Sequence, residues 1–371
     1  MHIGVVIPGF SSDAHDPAIP VQLNLAREQA QHLDYQVIAL RYPHRRDQYS
    51  VYGAQVYSLG YGAWTHGIRR LVLWRDALAA LEQLHRAKPF NVLHAMWADE
   101  AGLIAGWFGQ RHRIPVVVSI LGGELAHIPS IGYGGQLSRY GRWVTGQALS
   151  RAARIHVVSG YVREKLRASS YHLDQDQWVT VPLGVDTMLF HPANTPHAAD
   201  HLVCVASLIP VKDHALLLHT VARLPHVTLD LIGDGPLRSA LESLARALGI
   251  RERVRFRGSL PHAQLADEYR RAALHVLTSH HETFAVCVAE AAACGTPSVT
   301  TAVGMLPDYP SVGVNVPSRD PDALAAAIDG LLTDGDRLQA LRQTAYETAH
   351  THLTIQATAA QLRGLYHAMC A

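Results

Sequence analysis

The chain has 371 residues, of which 48% are hydrophobic and 17% are charged, and its formal net charge is +1. This length predicts two domains, and this composition excludes an intrinsically disordered chain. The near-zero net charge argues against a protein that binds nucleic acid.

Met1 runs directly into a strand-like apolar stretch, without a basic segment or a small-residue cleavage site. We therefore expect no signal peptide and a cytoplasmic protein. A long apolar stretch without a charged residue, Ala291–Pro307, is broken by Gly295 and Pro297. It therefore predicts no membrane-spanning helix.

In the first half, short β-rich runs alternate with amphipathic stretches, which is typical of a parallel sheet covered by helices on both faces. The predicted strands are 3–7, 35–40, 55–59, 91–95, 115–120, 154–158 and 178–181. A segment rich in Pro, Asn, Thr and His follows and ends near Asp200. Because this segment has no hydrophobic periodicity, we place the domain boundary in it and predict a first domain over 1–195.

One predicted helix of this half, residues 66–88, brings basic and apolar side chains together. They are Arg69, Arg70, Leu71, Leu73, Trp74 and Arg75. A helix of this kind can bind a membrane surface as a weak peripheral contact. The alternative, which is more common, is a helix packed on the sheet.

The same alternation resumes in the second half, which predicts a second doubly wound domain over 196–371. Its predicted strands are 201–206, 227–232, 253–257, 274–278, 297–301 and 312–316. In such sheets ligands bind beyond the carboxyl ends of the strands, where the strand order reverses. The last helical stretch, 355–369, follows a sheet that is already complete. Packing of this helix on the first domain is therefore one hypothesis for it.

Residues 280–297 are the most informative segment, because they predict a nearly all-apolar helix that begins near Thr283 and ends at Gly295. Glu290 is the only charge beyond its first turn. A buried carboxylate needs a partner, either a protein cation or a ligand with hydroxyl groups such as a ribose. The helix start offers backbone N–H groups to an anionic diphosphate.

If Glu282 and Glu290 both lie in this helix, their carboxylates are about 12 Å apart along its axis. Retaining glycosidases need two carboxyl groups about 5 Å apart, so neither glutamate is expected to act as such a nucleophile.

Lys212 is a further candidate, because 29 of the 32 basic residues are arginine and this lysine stands just before a predicted helix. The helix dipole opposes a cation there unless an anion is also bound, and a diphosphate is such an anion. The alternative is a solvated lysine at the end of a loop.

The segment around Glu290 resembles the E-x7-E signature of glycosyltransferase family 4. The matching residues are Glu282, Phe284, Glu290, Ala291, Cys294, Gly295 and Pro297. Thr283 and Ala285 stand where the family has glycine.

Four other segments resemble family motifs in the expected order. They are Pro182–Asp186 with Phe190 and Pro192, Ala206–Asp213, Ile232–Pro236, and Val254–Leu260, which contains Gly258. In the second of these, Ser207 replaces a common arginine.

The resemblance implies the GT-B fold, with two Rossmann-like domains facing across a cleft. It also implies transfer of a sugar, with retention of configuration, from a nucleotide diphosphate sugar to a hydroxyl of a glycan, lipid-linked or small-molecule acceptor. Glu290 would hold the ribose, Lys212 with the turn of Gly233 and Gly235 would lie near the phosphates, and Glu282 near the sugar. Further implied donor-binding residues are Ser207, Gly258, Thr283, Phe284 and Ala285.

In the first domain the resemblance is weaker and implies a set of acceptor or cleft residues. These are Gly9 and Phe10 after the first strand, His94, and Gly122, Gly123 and Glu124, where Leu121 replaces a family histidine. The alternative for His94 is a core residue.

The chain has 24 histidines but no H-E-x-x-H spacing, and we expect neither a metal site nor a cofactor. There is no P-loop, and Gly233 and Gly235 lack the third glycine of a dinucleotide fingerprint. Two other interpretations stay open: an epimerase or phosphorylase on the same fold, and a nucleotide-sugar-binding protein without turnover.

Overall fold

The computed structural model describes residues 1–14, 16, 18–62, 65, 67–193 and 198–370. It consists of two compact units: unit 1 comprises Met1–Pro182 with Ile355–Ala371, and unit 2 comprises Leu183–Thr354. The boundary predicted after residue 195 is therefore wrong. Phe190 explains the difference, because its ring is fully buried in unit 2, with its centroid 6.0 Å from that of Tyr269.

Unit 1 contains an eight-stranded sheet with the strand order β3-β4-β2-β1-β5-β6-β7-β8. Its strands are β1 (His2–Gly9), β2 (Asp34–Tyr42), β3 (Asp47–Val51), β4 (Ala54–Ser58), β5 (Val92–Met96), β6 (Val116–Ile120), β7 (Arg154–Val157) and β8 (Trp178–Thr180). All neighbours are parallel except β3 and β4. Among the residues that the structure describes, five helices connect them: α1 (Pro20–Ala30), α2 (Ile68–Ala87), α3 (Glu100–His112), α4 (Arg139–Leu149) and α5 (Gly160–Arg167).

Strand β3 has no counterpart among the predicted strands. It pairs antiparallel with β4 through a two-residue turn at Tyr52 and Gly53, which both have positive φ angles, of 50° and 86°. Two-residue hairpins favour this geometry, whose usual sequence signal is Asn or Asp before Gly. The signal is absent from this sequence because Tyr52 occupies the first position of the turn.

Unit 2 contains a six-stranded parallel sheet with the order β11-β10-β9-β12-β13-β14. Its strands are β9 (His201–Val205), β10 (Thr228–Ile232), β11 (Val254–Gly258), β12 (Leu274–Leu277), β13 (Ser298–Thr301) and β14 (Gly313–Val316). Its helices are α6 (His214–Ala222), α7 (Arg238–Ala247), α8 (His262–Arg271), α9 (Val286–Ala293), α10 (Pro321–Leu332) and α11 (Gly335–His352). The predicted class, two doubly wound α/β domains, is confirmed.

The last helix, α12 (Ile355–Ala368), belongs to unit 1. Its Ile355, Leu362 and Tyr366 are buried in the same apolar cluster as the central strands of that unit. The side-chain amide of Gln29 in α1 donates to the carbonyl oxygen of Ala359, at 3.2 Å. The core of unit 1 therefore includes a segment from the far end of the sequence.

Candidate functional site

The strand order of unit 2 reverses at β9, which has β10 on one side and β12 on the other. The loops after β9 and β12 meet at this point. The backbone N–H of His280 donates to the carbonyl oxygen of Val211 at 2.7 Å, and the Thr278 hydroxyl donates to that of Asp213 at 2.9 Å. These bonds join the loop that contains Lys212 to the loop that contains Glu282. The two loops meet at the position where doubly wound sheets bind ligands.

Lys212 and Glu282, the two predicted catalytic residues, form an ion pair at this point. The distance from Lys212 Nζ to Glu282 Oε1 is 2.5 Å, and the Ser279 hydroxyl donates to the same oxygen at 2.6 Å. Both side chains are partly exposed, by 22% and 12%. A fixed cation and a fixed carboxylate are therefore both accessible at the edge of the sheet.

Helix α9 begins at Val286, so the prediction that it starts near Thr283 is wrong. Ala285 has a left-handed conformation, with φ of 66°, and no side chain caps the helix. Glu282 consequently lies in the preceding loop, and the 12 Å axial spacing from Glu290 that we derived for a helix does not apply. Thr283 and Phe284 are buried, and the carbonyl oxygen of Phe284 accepts a hydrogen bond from Met305 N at 2.9 Å.

Glu290 is only 6% exposed and has two protein partners from α8. His262 Nε2 lies 2.8 Å from its Oε1, and the Tyr269 hydroxyl donates to its Oε2 at 3.0 Å. His262 and Tyr269 are seven residues apart in one helix and therefore share a face. This geometry supplies the polar partners that a buried carboxylate needs and holds the carboxylate in one orientation.

Burial raises the pKa of the Cys287 thiol, in the first turn of α9, well above its ordinary value, and the charges of Glu282 and Glu290 raise it further. The thiol is therefore uncharged at neutral pH.

The predicted glycine turn lies at the ends of β10 and β11 and packs against the loop after β9. A Cβ atom at Gly233 would lie 2.1 Å from the Ala206 carbonyl oxygen, and one at Gly235 would lie 2.6 Å from that of Leu208. The N–H of Gly233 donates to the carbonyl oxygen of Gly258 at 2.9 Å. The glycines are thus required for loop packing in the protein itself, while neighbouring Ser207 is exposed.

The sequence alone did not predict His262, Tyr269 and Ser279 as partners of the two glutamates. Nor did it predict Arg319, which donates to the carbonyl oxygen of Ser279 at 2.9 Å and forms an ion pair with Asp213. Two signals were present: Ser279 stands three residues before Glu282, and the positions of His262 and Tyr269 share a helical face.

His94 is a core residue, so its assignment to the acceptor site is wrong. It is fully buried in β5, where Nδ1 lies 2.6 Å from the Tyr366 hydroxyl and Nε2 lies 2.7 Å from the Ser119 hydroxyl. The Ser119 hydroxyl in turn lies 2.7 Å from Nδ1 of His156. Burial holds the pKa of His94 well below its ordinary value. The histidine thereby joins β5 to α12 and to β6 inside the core.

The other candidates in unit 1 are mainly structural. Phe10 is buried in the apolar core, and a Cβ at Gly9 would lie 2.8 Å from that of Tyr42. The Glu124 carboxylate accepts hydrogen bonds from the backbone N–H groups of Ala98, Leu121 and Gly122, at 3.2, 3.2 and 2.6 Å. It thereby ties the loop after β6 to the loop after β5.

Gly123 and Glu124 do line a pocket of about 500 Å³ in unit 1. This pocket also contains Arg41, Trp97 and Glu100, and it lies at the carboxyl ends of β1, β2, β5 and β6. The strand order of unit 1 reverses at β1, between β2 and β5. The pocket therefore lies at the point of this sheet that corresponds to the Lys212 and Glu282 pair in unit 2.

Within the described ranges, no group of three or more His, Cys, Asp or Glu side chains is arranged to hold a metal ion. Over the same residues, no helix combines the length and the apolar character needed to cross a bilayer.

Two family models match the chain, and together they cover most of it. Residues 19–184 match the model described as a glycosyl transferase 4-like domain, and residues 190–348 match the one described as glycosyl transferases group 1. The two matches correspond closely to unit 1 and unit 2.

The curated relatives include several named D-inositol 3-phosphate glycosyltransferase. The enzyme of Catenulispora acidiphila is 38% identical over 195 residues, which are 46% of this chain and 47% of the relative. That of Thermobispora bispora is 34% identical over 221 residues, 53% of this chain and 51% of the relative. The chain thus spans about half the length of these relatives.

Solved structures share the fold over the full length. Sucrose-phosphate synthase from Thermosynechococcus elongatus has a TM-score of 0.81 at 22% identity. The match covers 100% of this chain and 99% of the synthase chain. HepE of Anabaena, in complex with UDP and glucose, has a TM-score of 0.76 at 16% identity. The match covers 99% of this chain and 100% of the HepE chain. With both family models matched and this fold, the chain belongs to the GT-B glycosyltransferases of the family 4 type.

Proposed function

We propose that the protein transfers a sugar from a nucleotide diphosphate sugar to an acceptor hydroxyl. The observation that supports this most is the pairing of Lys212 with Glu282 at the reversal point of the unit 2 sheet. Glu290 contributes a buried, oriented carboxylate in the helix that follows. The relatives named as glycosyltransferases and the fold neighbour in complex with UDP agree with this proposal.

In the proposed reaction, the bond between the anomeric carbon and the diphosphate oxygen breaks while the acceptor oxygen attacks on the same face. The departing phosphate oxygen takes the acceptor's proton, and the product retains the donor's configuration. Lys212 stabilises the negative charge that develops on the diphosphate, as preorganised charges commonly do in enzymes. The uncapped start of α9 adds backbone N–H groups directed at the same anion.

We propose that Glu282 binds hydroxyl groups of the transferred sugar. We also propose that Glu290 accepts hydrogen bonds from the ribose, with His262 and Tyr269 as positioning residues. Because Lys212 and the helix N–H groups supply positive charge, we propose that transfer needs no divalent cation. Biosynthesis of a glycan or glycoconjugate is the setting that this chemistry suggests.

A nucleotide panel followed by an activity assay tests the function. A thermal-shift series with UDP, GDP, ADP and CDP should single out one base, since a ligand at about 100 times its dissociation constant adds about 2.7 kcal/mol of stability. The corresponding sugar donor should then be hydrolysed slowly without acceptor and consumed faster with one. Nuclear magnetic resonance of the product should show the anomeric configuration of the donor.

Each alternative has its own outcome in this assay. Binding of a nucleotide sugar without any turnover would support a binding protein, and recovery of an epimeric donor would support an epimerase. Release of a sugar phosphate on adding inorganic phosphate would support a phosphorylase. An inverted product would overturn the retaining mechanism, and no binding of any nucleotide would overturn the proposed function.

We also propose a weak peripheral contact with the inner face of a membrane for a cytoplasmic form of the protein. Ile68 and Leu71 in α2 are 77% and 57% exposed, and Trp143 in α4 is 44% exposed. Exposed arginines flank them, at 69 and 75 in α2 and at 139 and 142 in α4. Apolar side chains ringed by cations favour an anionic lipid surface. Residue 66 of the predicted helix lies outside the described residues.

A further inference from the structure

The pocket in unit 1 is lined by charged side chains, and their contacts indicate which charge a ligand can carry. The arginine, aspartate and glutamate side chains that line it are Arg41, Arg70, Asp99, Glu100 and Glu124. A pocket with two arginines suggests an anionic ligand at first sight, because arginine forms bidentate bonds with phosphates and carboxylates. The contacts of these arginines indicate otherwise.

Both arginines are paired with the same carboxylate, that of Glu100. Arg41 forms an ion pair with one of its oxygens, and Arg70 Nε lies 2.9 Å from the other. The Tyr140 hydroxyl donates to Glu100 at 2.8 Å, and Trp74 Nε1 donates to it at 3.3 Å. Glu100 is only 6% exposed, and three hydrogen-bond donors, from Arg41, Trp74 and Tyr140, together with the ion pair to Arg70 hold it in place. A ligand anion would have to compete with this carboxylate.

The other two acidic side chains remove the remaining positive charge. Burial raises the pKa of Glu124, whereas the three backbone hydrogen bonds that its carboxylate accepts favour the ionised form. Asp99 caps α3 through a 2.8 Å bond from the N–H of Ala101, and burial raises its pKa to about 7. At pH 8 three carboxylates therefore face two guanidinium groups. A phosphate added to the pocket would lie beside like charges.

Two aromatic side chains complete the pocket. Trp97 lines it after β5, and Tyr140 lines it with a ring that lies 3.9 Å from the guanidinium carbon of Arg70. Aromatic walls with fixed hydrogen-bonding groups suit a ring that is apolar on its faces and polar at its edges.

We propose that this pocket binds an uncharged, hydroxyl-bearing ring of the acceptor, and that Glu100 is the residue that excludes a phosphorylated ring. The proposal rests on the proposed function, because that function makes the ligand an acceptor. It also separates this chain from the relatives whose names specify a phosphorylated inositol.

The test is a binding comparison at pH 8 by saturation-transfer nuclear magnetic resonance, with and without UDP. Matched pairs are used: myo-inositol, glucose, galactose and mannose, each with its monophosphate. We expect at least one uncharged member to bind, and its phosphate to bind at least about tenfold more weakly, as one nearby like charge can produce. Tighter or equal binding of the phosphates, or no binding of any uncharged ring, would overturn the proposal.

Glu100→Gln keeps the size of the side chain and removes its charge, so it should strengthen binding of the phosphorylated members by at least about tenfold. Glu82→Gln is the matched control, because Glu82 is also paired, with Arg86 at 2.8 Å, but lies outside this pocket. The control should leave the selectivity unchanged.

Circular dichroism shows whether Glu100→Gln folds. If it does not, Arg70→Gln replaces it and should change the selectivity in the opposite direction, with phosphates bound still more weakly than by the wild type. Failure of the proposed function is a separate result, because nucleotide binding is measured at unit 2 and ring binding at unit 1.

Discussion

Glu282 and Glu290 have different surroundings in unit 2. Their substitutions should therefore impair different steps, nucleotide binding for Glu290 and use of the sugar donor for Glu282. Glu290→Gln should weaken the bare nucleoside diphosphate and the intact donor alike, by about 1.5 to 3 kcal/mol for a charge-assisted hydrogen bond. Glu282→Gln should leave nucleoside diphosphate affinity nearly unchanged and lower kcat/KM for the sugar donor, because its contact needs the sugar. Calorimetric titration of the nucleotide against both variants measures the difference.

Glu347→Gln is the control for this pair, since Glu347 is an exposed residue of α11. An equal loss of nucleotide affinity in both test variants would contradict the two assignments. So would a collapse of the melting temperature in Glu290→Gln alone, because it would make the bonds from His262 and Tyr269 the main role of this carboxylate.

Ala285 carries backbone strain that a glycine would relieve. Its φ of 66° lies in the left-handed region, which costs a residue with a Cβ about 1 to 2 kcal/mol. Ala285→Gly should therefore stabilise unit 2 by about 0.5 to 1 kcal/mol, after the greater chain entropy of glycine is subtracted. Thermal unfolding measures the change.

The control for this substitution is Ala326→Gly in α10, where the residue is exposed and helical. It should destabilise by about 1 kcal/mol. A loss of stability in Ala285→Gly as large as in this control would show that the alanine conformation carries no strain.

At the residue level, the sequence predicted that Glu290 is buried and needs a partner, because its helix is apolar nearly all round. It could not predict His262 or Tyr269, because those contacts depend on how α8 packs on α9. His94 was assigned wrongly for a related reason. A residue near the end of a strand can face either the core or the edge, and only the position of α12 decides which.

At the level of elements, the parallel strands were predictable because each is a short apolar run bounded by turns. β3 was not, since its edge position leaves it polar and its turn begins with tyrosine. The start of α9 was placed too early, because the helical pattern extends back to Thr283 while Ala285 leaves the helical conformation.

The strands β5, β6 and β7 place two buried histidines in one hydrogen-bonded chain, which should make unit 1 sensitive to acid. Burial lowers the pKa of His156 to about 4 and that of His94 well below its ordinary value. Below pH 6.5 the unfolded state binds more protons than the folded state. Stability should therefore fall with pH from 6.5 toward 4, by about 1.4 kcal/mol per pH unit for each histidine.

Guanidinium unfolding at several pH values measures this slope. His94→Gln should reduce it by one histidine's share, and His352→Gln, at an exposed position of α11, should leave it unchanged. A slope that is the same in wild type and His94→Gln would contradict the assignment of His94 to the acid response.

At the level of the whole molecule, the proposed mechanism predicts turnover in excess chelator. Lys212 and the start of α9 supply the positive charge that a divalent cation would otherwise supply. Activity measured with and without EDTA should be the same. Loss of activity that Mg²⁺ or Mn²⁺ restores would contradict metal independence.

The membrane hypothesis predicts co-sedimentation with anionic vesicles. Arg69→Glu plus Arg75→Glu should abolish it, and Arg246→Glu plus Arg337→Glu, at exposed positions outside α2 and α4, changes the net charge equally and should not. Arg70 is unsuitable for this test because it is paired with Glu100. Equal binding by both double variants, or no binding by the wild type, would rule out this surface.

The return of the chain to unit 1 has a consequence for synthesis on the ribosome. Residues up to Pro182 emerge before unit 2, yet α12, which completes their core, is translated after it. Unit 2 is continuous in sequence and can fold while translation proceeds. The earlier-made half must instead wait until α12 has been translated, with an apolar face of its sheet uncovered, and this is the interval in which chaperones have a surface to bind.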